Sequence, residues 1–173
     1  MMFLSRVLLS LSLCLSASLA KPAPPTPTVT APFGTIIGRE GRLNPAVHEY
    51  LGIPYAKPPT GALRFAPPAR LPNQKTAIRA KAFGPSCPSQ PGIAATESPF
   101  NFAAPESEDC LNINIWTTPG RENAPVLIWI YGGGFLVGTS NTMFYDGTHF
   151  AANNEVVIVS LKWVSPSRCR GIN

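Results

Sequence analysis

Residues 126–138 read VLIWIYGGGFLVG, an apolar run that ends in three consecutive glycines. The run is bounded by Pro125 and by the glycines, is too short for a typical helix and is rich in strand-forming residues. It therefore predicts a buried β-strand that leads into a loop. Because glycine has no Cβ, its backbone can bring N–H groups close to a ligand. Gly132, Gly133 and Gly134 suit either a mobile turn or a loop that stabilises an oxyanion.

A second apolar run, at residues 156–161, predicts another strand that is buried on both faces. Between the two runs, the side chain of Asp146 can accept hydrogen bonds from the first turn of a short helix over residues 147–153. A strand, a helix and a strand in this order indicate one right-handed βαβ unit. The chain is therefore predicted to be an α/β protein.

The earlier part of the chain predicts antiparallel structure. Residues 33–38 and 46–53 are predicted to form a hairpin that turns over residues 39–42. The alternation in LNINIW, residues 111–116, predicts a half-buried strand with its apolar face made by Leu111, Ile113 and Ile115.

The first twenty residues have the layout of a secretory signal. Arg6 precedes an apolar run over residues 7–15, and small residues lead to a cleavage site after Ala20. The run is too short and too interrupted to be a membrane anchor. Residues 21–32 are rich in proline and are predicted to be an extended tether. The mature chain is thus expected to be secreted into an oxidising compartment.

In such a compartment cysteines are disulfide candidates first. Removal of the signal leaves Cys87, Cys110 and Cys169. A bond between Cys87 and Cys110 would stabilise the fold by roughly 3.5 kcal/mol in the chain-entropy model, and Cys169 would then lack a partner. A metal site is not predicted, because the chain has no C-x-x-C pair and only His48 and His149 could add imidazole ligands.

The net charge of +5 is unevenly spread, since residues 1–85 hold ten of the fourteen Lys and Arg residues but only two of the nine acids. These cations are scattered among prolines and glycines, whereas nucleic-acid binding requires them to cluster on one face. Nucleic acid is therefore excluded as a partner.

Four motifs stand in order along the chain: GIPYA followed by two prolines at residues 52–59, LRF at 63–65, SEDCLN at 107–112 and WIYGGGF at 129–135. Together they resemble the type-B carboxylesterase and cholinesterase family of α/β-hydrolases. The resemblance covers residues 33–161. It implies an incomplete α/β-hydrolase fold, made of the N-terminal antiparallel hairpin and the first strands of the central sheet.

The resemblance also implies function. It points to a secreted serine hydrolase whose intact counterpart acts on a small-molecule ester and needs no metal or organic cofactor. Gly133 and Gly134 would supply two N–H groups of the oxyanion hole, within the loop that Gly132 begins. Cys87 and Cys110 would form the early disulfide of the family.

The catalytic residues of that chemistry are not found. Serine acyl transfer needs a serine on a sharp strand-to-helix turn, a histidine base and an acid to orient it, and no G-x-S-x-G occurs in the 173 residues. His149 lies in the predicted short helix and His48 in the hairpin. Residues 107–109, beside Cys110, are expected to make surface or structural hydrogen bonds. No triad residue is assigned, and this chain alone is predicted to be inactive.

Residues 162–173 form a divergent tail, because KWVS stands where the family continues with an Asn-Tyr-Arg-like segment. The hypothesis that follows is a retained intron, a frameshift or a faulty gene model. Two alternatives stay open: a non-catalytic cholinesterase-like binding or adhesion module, and a short secreted polypeptide with its own role. The sequence assigns no oligomeric state.

Overall fold

The computed structural model describes residues 25–89, 105–134 and 137–163. Within these ranges the chain is rich in sheet and has one short α-helix, α1 (Thr148–Asn153). The strands are β1 (Thr28–Ala31), β2 (Gly34–Ile37), β3 (Arg39–Glu40), β4 (His48–Pro54), β5 (Ile78–Arg79), β6 (Asn112–Thr117), β7 (Val126–Trp129) and β8 (Val157–Leu161). The proposed signal over residues 1–20, Cys169 and most of the predicted tail lie outside the described residues.

The strands form two sheets. The smaller has the order β1-β2-β5 and the larger the order β3-β4-β6-β8-β7. In the larger sheet only the β8–β7 pair is parallel, and the other neighbours are antiparallel. Because β7 and β8 are parallel and α1 lies between them in sequence, the predicted strand-helix-strand unit is present.

The helix and cap predicted for residues 146–153 nearly match the structure. The helix begins at Thr148, one residue later than predicted, and Oδ1 of Asp146 accepts a hydrogen bond from the Thr148 N–H at 2.8 Å. Such a bond satisfies one of the N–H groups that the first helical turn leaves without a partner.

The predicted hairpin is wrong in its first strand. β2 pairs with β1 and β5 in the smaller sheet, and the strand that pairs with β4 is the two-residue β3, with Arg39 opposite Glu49. β1 takes residues 28–31 out of the predicted tether, because their Thr and Val side chains suit a strand and β2 offers an edge. Packing also favours the position of β2, since its Ile36 lies in a buried cluster with Tyr50, Ile53 and Ala80.

The predicted apolar face of β6 is confirmed, since Leu111 is buried, but the expectation that only this face is covered is wrong. The structure buries Asn112, Asn114 and Trp116, whereas Ile113 and Ile115 are half-buried against the Ile36 cluster. The reason is that both faces of β6 are covered. Trp116 enters a second cluster with Val47, Leu51, Ala151 and Ile158.

Asn114 can be buried because its amide group is fully used. Its Oδ1 accepts from the Gly52 N–H at 2.9 Å, and its Nδ2 donates to the hydroxyls of Ser160 at 3.1 Å and Ser140 at 3.3 Å. A buried amide without such partners would be costly. The alternation of apolar and polar residues alone could not reveal this pairing.

β7 was predicted to be buried, and in the described structure it is exposed. All four of its residues lie at the surface, with Ile128 58% exposed, because β7 is the last strand of its sheet. β8 is intermediate, with Ile158 and Ser160 buried and Val157, Val159 and Leu161 half-buried. Within the described residues, the helices are too short to cross a lipid bilayer.

Candidate functional site: the glycine loop and its supports

The three glycines lie just beyond the end of β7. Tyr131 is buried, and its ring lies beside the ring of Trp163, with centroids 5.8 Å apart. In contrast, the three glycines that follow, Gly132, Gly133 and Gly134, are exposed. The buried tyrosine therefore fixes the point at which the chain turns outward.

Two of the glycines have backbone conformations that other residues rarely adopt. Gly133 has φ +129° and Gly134 has φ +57°. A Cβ on Gly133 would lie 1.8 Å from the carbonyl oxygen of Val137, whereas one on Gly134 would meet nothing within 4 Å. Gly133 is thus required by both space and conformation, and Gly134 by conformation alone.

The loop is closed by its own backbone. The Val137 N–H donates to the Gly133 carbonyl at 3.1 Å, and a Cβ on Gly138 would lie 2.5 Å from the Gly132 carbonyl oxygen. Among the described residues, the N–H groups of Gly133 and Gly134 donate no hydrogen bond. Two exposed donors in adjacent residues can bind an anionic oxygen.

The segment after the loop is attached to the disulfide-bonded part of the chain. The hydroxyls of Thr139 and Ser86 lie 2.7 Å apart, and Nδ2 of Asn141 donates to the Gly84 carbonyl at 2.8 Å. Cys87, one residue beyond Ser86, is joined to Cys110 by a disulfide. The expected pairing of Cys87 with Cys110 is confirmed.

Sequence reasoning missed a buried amine at this site. Lys162 is 0% exposed, and its Nζ donates to the Gly84 carbonyl and to Asn141 Oδ1, both at 2.7 Å, and to Asn112 Oδ1 at 3.2 Å. Burial lowers the pKa of Lys162 from its ordinary 10.5 to about 7. Lys162 and Trp163 were predicted to begin the divergent tail, but they complete the fold. The feature of the sequence that could have revealed this buried amine is a lysine placed directly after an apolar strand.

The other polar candidates lie apart from the loop. His149 is an exposed residue of α1, and His48 begins β4. Glu108 pairs with Arg64, and the Ser107 hydroxyl accepts from the Asp109 N–H at 3.1 Å, which are the structural contacts that were predicted. No group of three potential metal ligands occurs among the described residues.

Comparison with known proteins gives a consistent result. The Carboxylesterase family model matches residues 25–163. Para-nitrobenzyl esterase from Bacillus subtilis (strain 168) is 38% identical over 141 residues, which cover 78% of this chain and 27% of that protein. Acetylcholinesterase from Gallus gallus is 39% identical over 151 residues, which cover 82% of this chain and 20% of that protein.

A solved structure of a PNB esterase superposes with a TM-score of 0.71 at 35% identity, covering 79% of this chain and 27% of that one. The chain thus spans about a fifth to a quarter of the length of these relatives, and its sheets are part of their α/β-hydrolase fold. The chain belongs to the carboxylesterase family.

Proposed function

We propose that this chain is the N-terminal part of a secreted serine carboxylesterase, and that its glycine loop supplies two donors of the oxyanion hole. The observation that carries the proposal is the pair of N–H groups on the exposed residues Gly133 and Gly134, which have no acceptor among the described residues. The left-handed φ values of both residues further support a loop shaped for such donors.

The chemistry assigned to the loop is electrostatic. When a serine attacks an ester carbonyl, the carbonyl oxygen becomes an oxyanion, and donors fixed in advance stabilise it without reorganising. In α/β-hydrolases a further donor comes from the residue after the nucleophile. The loop of this chain would therefore act with a serine elbow, a histidine and an acid from other sequence.

By itself the chain is proposed to be catalytically inactive, because it contains no G-x-S-x-G segment. The full chain mixed with a short-chain aryl ester should show no hydrolysis above the buffer rate. Turnover that a serine-directed organophosphate abolishes would contradict this part of the proposal.

The assigned role of the glycines can be tested in a chimera. Residues 25–163 would replace the matching part of the Bacillus subtilis para-nitrobenzyl esterase, which supplies the rest of the fold. We expect the chimera to hydrolyse a para-nitrobenzyl ester, and Gly133→Ala to lower its kcat by about 10²–10³-fold, since the new methyl group displaces the loop.

The matched control compares two glycines of similar conformation. Gly134 and Gly120 have φ +57° and +75°, and a Cβ on either meets nothing within 4 Å, so alanine strains both backbones alike. Gly134→Ala should lower kcat, whereas Gly120→Ala should not. Equal effects, or no effect of either loop variant in an active chimera, would reject the oxyanion role.

We also propose the domain boundaries that secretion requires: a signal over residues 1–20 and a linker that ends before β1. Support comes from the basic residue, the apolar run and the small residues before position 21. Expression of the full chain in a secreting host should give a product in the medium whose first residue is Lys21. A product that keeps Met1, or that stays in the cell unprocessed, would contradict the signal.

A further inference from the structure

The side-chain amine of Lys162 connects three separate segments of the chain. Its acceptors are the carbonyl of Gly84, just before the disulfide-bonded Cys87, the side chain of Asn112 in β6, and the side chain of Asn141 after the glycine loop. The residue itself is held at both backbone groups, since its N–H donates to the Asn112 carbonyl at 3.0 Å and its carbonyl accepts from the Tyr55 hydroxyl at 2.8 Å.

The acceptors match the charged amine in number and kind. An ammonium group has three donors and no acceptor, and the three oxygens around Nζ are all neutral. Among the described residues, no carboxylate forms an ion pair with Lys162. Lys162 is therefore held by directed hydrogen bonds and not by an opposite charge.

These bonds lead directly to the glycine loop. Asn141 is held by Lys162 through Oδ1 and by Gly84 through Nδ2, and its N–H donates to the Thr139 hydroxyl at 3.2 Å. Thr139 follows Gly138, which packs against the Gly132 carbonyl. The segment from 139 to 141 is thus held by several hydrogen bonds directly after the loop.

We propose that Lys162 is a positioning residue for the glycine loop, acting through Asn141 to hold the loop's trailing segment against the disulfide-bonded part of the chain. Its relevance to catalysis rests on the proposed oxyanion role of Gly133 and Gly134. The positioning itself can be measured without any ester hydrolysis.

The first test is hydrogen exchange on the full chain, with Lys162→Met and the exposed Lys75→Met as a control. The methionine side chain is similar in length to that of lysine but donates no hydrogen bond. Since Nζ makes three hydrogen bonds that methionine cannot make, amides of residues 137–142 should exchange about tenfold faster or more in Lys162→Met relative to the amides of β6. Lys75→Met should change neither region.

Two results would overturn the proposal. One is an equal rise in exchange over the whole sheet, which would mean that Lys162 supports the fold generally and not the loop. The other is unchanged exchange at residues 137–142. An inactive chimera would instead refute the oxyanion proposal and leave this measurement valid.

The second test is the pH dependence of stability, which identifies the amine as the responsible group. The pKa of Lys162 is about 7 in the folded chain and 10.5 ordinarily. Between these values the unfolded chain binds more protons, so stability should rise with pH from about 7 to 10.5 and be lost as pH falls through 7. Among the described residues, the Tyr55 hydroxyl bonds the Lys162 carbonyl, and the pKa of Tyr55 is raised by burial and by Tyr131.

Lys162→Met should lack this rise, and because it retains both tyrosines their titration cancels in the difference between the two proteins. Asn141→Asp should move the rise to higher pH, because it places a carboxylate beside Nζ. A wild-type curve parallel to that of Lys162→Met, or a rise that Asn141→Asp leaves in place, would contradict the assignment.

Discussion

Strands β6 and β7 belong to the same sheet but have opposite surroundings. β6 lies between β4 and β8, and its Trp116 is 0% exposed. β7 is the more apolar strand, yet it forms the sheet edge and its Trp129 is 43% exposed. The comparison shows that an apolar strand is buried only when other elements pair with it and pack on it.

The surface next to β7 is also apolar. Leu127, Trp129 and Phe150 line an open groove of about 330 Å³ together with Phe144, Tyr145 and Ile158. An exposed edge strand beside such a groove favours association with other chains. The described residues thus contain one completed region around β6 and one uncovered region around β7.

Removal of the two tryptophan side chains should give the largest contrast. Trp116→Ala opens a cavity in the buried cluster and should lower the free energy of unfolding by about 3–5 kcal/mol, whereas Trp129→Ala should lower it by less than about 1 kcal/mol. Urea unfolding followed by circular dichroism measures both. Similar losses would mean that β7 is covered in solution.

The disulfide is the next largest effect. It closes a separation of 23 residues ahead of β6, so Cys87→Ala with Cys110→Ala should lower the free energy of unfolding by about 3.5 kcal/mol. The same urea measurement applies, and a reducing agent should destabilise the wild type but not the double variant. A loss of stability in both on reduction would point to another bond.

Breaking the ion pair of each region should change stability by amounts that differ less than those for the two tryptophans. Glu49 is buried under the β6 region and pairs with Arg39, Nε to Oε2 at 2.8 Å, so Arg39→Met leaves a buried carboxylate short of a partner and should cost about 2 kcal/mol. Near β7, Arg121 pairs with the exposed Glu155 and lowers its pKa. Arg121→Met should leave the urea midpoint unchanged, because water screens that pair.

A charge on the exposed strand should have a similarly small effect on stability. Ile128→Lys should leave the urea midpoint nearly unchanged, since the side chain is 58% exposed, but should reduce self-association by charging an open edge. Light scattering against protein concentration measures this. The control is Ile158→Lys at a buried position of β8, which should unfold the chain.

Local sequence patterns predicted several parts of the structure. The Asp146 cap, the short helix and the parallel β7–β8 pair follow from residues close together in the chain. Cys87 and Cys110 were paired by family resemblance, and the structure contains that bond. The glycines were located as a loop after a strand, although their role as oxyanion donors is still a proposal.

The errors arose where distant residues decide the outcome. The alternation in residues 111–116 predicted a strand covered on one face, but its other face is covered too, and Asn114 is buried there because Ser140, Ser160 and Gly52 meet its amide. The tether over residues 21–32 ended too late because β2 gives β1 a strand to pair with. Lys162 was assigned to a tail because its three acceptors are 21 to 78 positions away.

The sequence by itself determined the order of the motifs, the position of the three glycines in a loop after a strand, and the family. Only the tertiary structure decided which apolar strand is buried and which polar side chains lie inside. The physical reason is that propensity and capping act over a few residues, whereas burial of Asn114 and Lys162 depends on hydrogen-bond partners that folding brings from remote parts of the chain.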